Sequence, residues 1–184
     1  MRLRKNPESG ATMLEFAIAV PVVVLLVVGL IEFGFGFLDS QAVAGATREG
    51  ARVGAIFATD PDADGFILAA VGDSLSDMRG GSELQEVWIY SSDETGAILD
   101  EANLTNKYVP DGGGGWDCLD ATACLWDPDT RRAELSNVIG TVNRDYLGVR
   151  VIFDHEWVTG FLPFPAPTWT DDTVMLIEPL LEAG

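Results

Sequence analysis

Three aspartates and a glycine in "TDPDADGF" are the residues of this chain whose types and spacing come nearest to a metal site. Asp60, Asp62, Asp64 and Gly65 follow the D-x-D-x-D-G opening of a calcium loop, with Ile67 at its usual apolar position. The twelfth position is Val71, where a bidentate glutamate belongs, and Pro61 is awkward at the second. The same residues also read as a helix start, with Asp60 as N-cap, Pro61 at the first helical position and acids in the first turn. Ile67, Leu68, Val71, Leu75 and Met78 then form an apolar helical face that Gly80-Gly81 ends. The missing ligand favours the helix and leaves Asp60, Asp62 and Asp64 a weak calcium candidate.

Other reactive types are sparse. Cys118 and Cys124 are the two cysteines. In an exported domain they are expected to close a local disulfide, the alternative being two free thiols. Zinc is disfavoured because His155 is the single histidine. Gly112 to Gly115 lack the following Lys-Ser/Thr of a phosphate loop and read as a flexible loop, with Trp116 and Trp126 placed to pack over the cysteine bridge. No G-x-S-x-G or metal-binding histidine set is present, and pairs such as Asp171-Asp172 are ordinary in an acidic chain. No catalytic residue and no cofactor is expected.

Two carboxylates, Glu15 and Glu32, stand out through their surroundings. Phe16 to Ile31 carries no charge, and apolar character continues past Glu32 to Leu38. As a helix, Ala11 to Leu38 is roughly 40 Å long at about 1.5 Å per residue, enough to cross a bilayer core of about 30 Å. Arg2, Arg4 and Lys5 precede this run, which places the amino end in the cytoplasm and the carboxyl part outside. Small residues after the run, Ala42 and Ala44 among them, also admit a cleaved secretory signal. Pro21 within the run is tolerated in membrane helices. Glu15 reads either as an acid in the first helical turn or as a register contact with a neighbouring chain. Glu32 reads either as an interfacial carboxylate reaching water or as a second contact between subunits.

Beyond the run, helical character extends to about Phe57, with small residues at Ala42, Ala44, Gly45, Ala46, Gly50, Ala51 and Gly54. They permit close packing, along neighbouring subunits or against the chain's own domain. Alternation predicts strands around Val87–Tyr90, Val149–Asp154 and in "DDTVMLIEP", with the last two paired antiparallel. Residues 101–129 read as loop, and a helix is expected from Asp127 or Asp129, with Ala133, Leu135, Val138, Ile139 and Val142 on its apolar face. The formal net charge of −18 excludes nucleic acid as a natural partner.

"SGATMLEF" resembles the processing site of type IV pilin-like precursors, with glycine last in the leader and glutamate fifth in the mature chain. Those positions are Gly10 and Glu15, and the mature chain would begin at Ala11. The stretch from Gly10 to Ala55 is more narrowly similar to TadE-like proteins, pseudopilins of the tight-adherence (Flp-type) pilus. It carries Glu15-Phe16, Ile31-Glu32-Phe33 and the A-x-x-x-A-T-R-E-G-A-R run of Ala42 to Arg52. The strand, proline-bearing loop and strand ending in M-L-I-E-P resemble the carboxyl end of the same proteins. The resemblance implies a minor subunit without enzymatic activity, cut by a prepilin peptidase and working with other pilin-like subunits, the assembly platform and the lipid bilayer. It also implies that Glu15 pairs with the free amine of a neighbour. The expected fold is α+β: residues 1–10 a basic leader, 11–57 a hydrophobic transmembrane helix, and 58–184 an extracytoplasmic domain of helices on an antiparallel sheet. An uncleaved membrane-anchored binding domain and a secreted domain released by signal peptidase are the alternatives.

Overall fold

The computed structural model describes residues 8–76, 83–131, 146–160, 165 and 167–177. Helix α1, Glu8–Phe57, passes through Pro21 without a break and is long and apolar enough to cross a membrane from Ala11 onward. A turn leads to α2, Ala63–Leu75, and then to strands β1, Glu83–Ser92; β2, Thr105–Pro110; β3, Trp116–Cys118; β4, Tyr146–Asp154; and β5, Thr168–Leu176. They form one antiparallel sheet in the order β3-β2-β1-β4-β5. The α+β architecture and the antiparallel pairing of β4 with β5 agree with expectation.

The core lies between this sheet and the second half of α1, with α2 alongside. Alternation places Val87 and Ile89 of β1 and Leu147, Val149, Val151 and Phe153 of β4 on one face. Against them α1 presents Val43, Ala46, Gly50, Ala51 and Gly54, and α2 presents Ile67, Leu68, Val71 and Leu75. The small residues let the layers close up. A Cβ on Gly50 would lie 2.7 Å from Val71 Cγ2, and one on Gly54 would lie 2.6 Å from Leu147 Cδ2. Of the two uses open to these small residues, packing against the chain's own domain is the one observed for Gly50 and Gly54. On the opposite sheet face Tyr90 lies across Gly148, where a Cβ would come within 2.2 Å of the ring. Burial, with Asp172 nearby, pushes the Tyr90 phenol up to about 12.

Two elements differ from the expectation of loop over 101–129. β2 and β3 form a hairpin, and its glycines make a defined turn. Asp111 Oδ1 accepts the backbone N–H groups of Gly113 and Gly115 at 2.7 and 2.8 Å. Gly112 and Gly114 adopt φ of +75° and +92°, a region glycine enters without steric cost. At the start of the helix expected from Asp127 or Asp129 lies a 3-10 turn, Pro128–Thr130, and the positions expected on its apolar face, Ala133, Leu135, Val138, Ile139 and Val142, lie outside the described residues.

Candidate functional site

The junction where α1 leaves its apolar half and meets the sheet gathers most of the polar side chains buried along the helix. Glu32 and Asp39 are seven residues apart, two helical turns, and therefore share a face. Both are buried and both point into the domain. Glu32 Oε2 accepts the N–H of Val158 at 3.0 Å, and Oε1 accepts the N–H of Thr159 at 2.6 Å and also the Thr159 hydroxyl. A buried carboxylate is costly unless donors surround it, and three donors do so here. Glu32 is buried, and its carboxylate grips the loop after β4 in its own domain.

Asp39 holds the other end of that loop. His155 Nδ1 lies 2.9 Å from Asp39 Oδ2, and both residues are buried. The imidazole stacks on Trp169 with centroids 5.5 Å apart, and its edge meets Trp157 at 5.2 Å. Trp169 in turn meets Phe153 edge-to-face at 5.7 Å. Gly36, between the two acids, leaves room for this stack, since a Cβ there would lie 3.0 Å from Trp169 Cη2. Glu32, Phe33, Gly36, Phe37, Ser40, His155, Trp157 and Trp169 line a cleft of about 310 Å³. Two turns further along α1, buried Thr47 donates to Asp171 Oδ2 at 2.7 Å and contacts the Thr173 hydroxyl at 3.1 Å, tying the helix to β5. The arrangement locks helix and domain into one body. His155, the lone histidine, is a packing and hydrogen-bonding element in it.

The remaining expected site residues are scattered. Gly10 and Ala11 fall in the first turns of α1, and Glu15 is exposed on the apolar half. Cys118 and Cys124 are joined, with Cα atoms 5.9 Å apart, at the β2–β3 end of the sheet. Trp116 and Trp126 serve other contacts: Trp116 packs toward α2 at Gly72, and Trp126 is buried under the Arg131 guanidinium.

The three calcium-candidate aspartates do not come together as a site. Asp64 turns inward, 2.6 Å from Arg131 Nη2, and Oδ2 accepts Asn106 Nδ2 and Tyr108 Oη at 2.7 Å each. Burial and the Asp64 charge raise the Tyr108 phenol. Asp60 accepts the Asp62 N–H at 2.9 Å within the turn, and the helix starts two residues later than expected, at Ala63. Asp62, not Asp60, holds the N-cap position, and it makes no side-chain capping bond. Among the described residues no group of three His, Cys, Asp or Glu side chains could hold a metal ion.

One apolar helix of membrane-spanning length continues as the spine of a small α+β domain. Residues 10–52 match the family model of TadE-like proteins. The match takes in both halves of α1 and stops at Arg52, so the sheet lies outside it. No curated protein and no solved structure matches the chain.

Proposed function

We propose that the chain is a minor pilin-like subunit, a pseudopilin. A prepilin peptidase cuts it between Gly10 and Ala11, and it then acts in assembly or initiation of a tight-adherence pilus. The observation that carries this reading is the division of α1 within the family match. No residue from Ala11 to Ile31 is buried, whereas from Glu32 onward one face is fixed to the domain. A helix built this way suits lipid in the precursor and neighbouring helices in a filament, without disturbing the domain it carries. The amino end stays on the cytoplasmic side beside Arg2, Arg4 and Lys5, and the domain stands outside. The role is non-catalytic. The partners are the peptidase, other pilin-like subunits, the assembly platform and the bilayer.

Glu15 has a specific part in this scheme. A carboxylate in an apolar setting needs a compensating cation, and the new amine of Ala11 on an adjoining subunit supplies one. Amino-terminal sequencing of membrane-extracted protein from cells holding the peptidase should start at Ala11. A leader still attached in assembled complexes would reject the processing step, and a start beyond Leu38 would instead mean a secreted domain. The Glu15→Ala variant should insert in the membrane as before and be recovered poorly with other subunits. Undiminished co-assembly would remove the pairing role.

A further inference from the structure

Apolar surface on α1 outlasts the bilayer it has to cross. At about 1.5 Å per residue, Ala11 to Glu32 already spans roughly 30 Å, the thickness of a hydrocarbon core. Beyond it Phe33 and Phe37 remain 81% and 64% exposed, and Leu38 is exposed as well. The acids at the same height, Glu32 and Asp39, are turned inward with their partners, which leaves the outer arc of the helix without charge from Phe33 to Leu38. The loop that Glu32 holds adds Trp157, a wall of the cleft, and Val158, 44% exposed.

We propose that Phe33, Phe37, Trp157 and Val158 form a collar seated in the interfacial layer of the leaflet on the domain side, so that the domain rests on lipid at a fixed height. This rests on reading the first half of α1 as a membrane span. Several observations favour lipid as the occupant. The collar is continuous with the apolar surface of the span, and with Leu30 and Ile31 it wraps an arc of the helix rather than one stripe. Such a surface suits a non-directional solvent better than a single partner face. Aromatic side chains, tryptophan above all, favour the bilayer interface. Exposed Glu156 can remain among headgroups and water. The net charge of −18 gives no attraction to an anionic leaflet, so apolar burial has to do the holding.

The consequence is mechanical. Glu32 clamps the collar loop to the helix, so the span cannot be drawn out of the bilayer without lifting the loop from the lipid surface.

The test uses full-length protein, one copy per phosphatidylcholine nanodisc, spin-labelled in turn at Ile18→Cys, Phe37→Cys, Val158→Cys and Glu94→Cys. Collision with oxygen, enriched in lipid, is compared with collision with a water-soluble nickel chelate. Labels at 37 and 158 should show an oxygen-to-nickel ratio several-fold above that at 94, an exposed turn position, and below that at 18. Ratios at 37 and 158 equal to that at 94 would overturn the collar. Shielding from both reagents would overturn it too, by showing protein rather than lipid against the surface. A label at 18 no more lipid-exposed than one at 94 would defeat the span reading itself and the collar with it. Should Val158→Cys not fold, Phe37→Cys carries the same comparison.

Discussion

The two halves of α1 obey different rules although they form one uninterrupted helix. Between Phe16 and Ile31 the side chains are apolar in every direction and none is buried. Gly29 has nothing within 4 Å of where a Cβ would stand. From Glu32 to Phe57 the buried positions recur at helical spacing, polar residues appear among them, and Gly36, Gly50 and Gly54 lie against rings and branched side chains. Along α1, hydrophobicity therefore says little about which residues are inside. The most apolar stretch is the least buried. The half with acids and small residues is the one that folds.

Exchanging the acids offers the sharpest test of that contrast. Removing the Glu32 side chain in Glu32→Ala strands two backbone N–H groups and a hydroxyl. Val158 and Thr159 are exposed, so water can meet the freed donors, and the loss is the net value of three bonds to a charged group, about 3 kcal/mol in all. Thermal unfolding in detergent should show it, with Glu32→Gln losing less because an amide oxygen can still accept. Glu15→Ala should leave the same unfolding curve in place. A Glu32→Ala protein as stable as the parent would mean that the junction does not hold the domain, and the division of the helix would collapse.

Steric substitutions give a smaller effect. Gly54→Val puts new atoms against Leu147 and Ile67, whose ends would already lie 2.6 and 3.0 Å from a Cβ. Overpacking of this kind costs about 1–3 kcal/mol. Gly29→Val meets open space and should leave domain stability unchanged, while any effect it has should fall on recovery with other subunits. Equal destabilisation by both substitutions would erase the distinction between the halves.

Much of this arrangement could be read from the residues. The span follows from an uncharged run, and β1, β4 and β5 follow from alternation. β2 is hard to read because its two most buried residues are polar: Thr105 and Asn106 are buried on opposite faces, and Asn106 bonds Asp64 and the Trp126 backbone in place of adding apolar mass. The Gly112–Gly115 turn escaped because a glycine run looks loose until an aspartate is seen to gather its amides. At the junction, Glu32 and Asp39 carry a usable signal: two acids seven residues apart in a helical stretch, 16–47, that is otherwise uncharged share one face. Their partners do not. His155 lies 116 positions from Asp39, and Thr159 lies 127 from Glu32, distances that only the folded sheet closes.

Acid should produce the smallest effect, and it should fall on the edge of the domain away from the helix. Asp93, Asp100, Asp111 and Asp120 are each held below the usual carboxylate range by hydrogen bonds in their own turns, from the Thr95 and Thr122 hydroxyls at Asp93 and Asp120, the Asn103 amide at Asp100, and the Gly113 and Gly115 N–H groups at Asp111. A folded pKa below the unfolded one means that the folded turn binds fewer protons. Its contribution is then complete above the ordinary aspartate value of about 4 and is lost as pH falls through the lowered value. Because these groups are in open solvent, the loss should be local: protection of the Gly113 and Gly115 amides from hydrogen exchange should drop several-fold between pH 6 and pH 3. The Val149 and Val151 amides, in the strand that packs on α1, should keep theirs. If protection fell together along β4 and the β2–β3 turn, the turns would be coupled to the helix seam, and the second half of α1 could not be treated as the part of the molecule that fixes the domain.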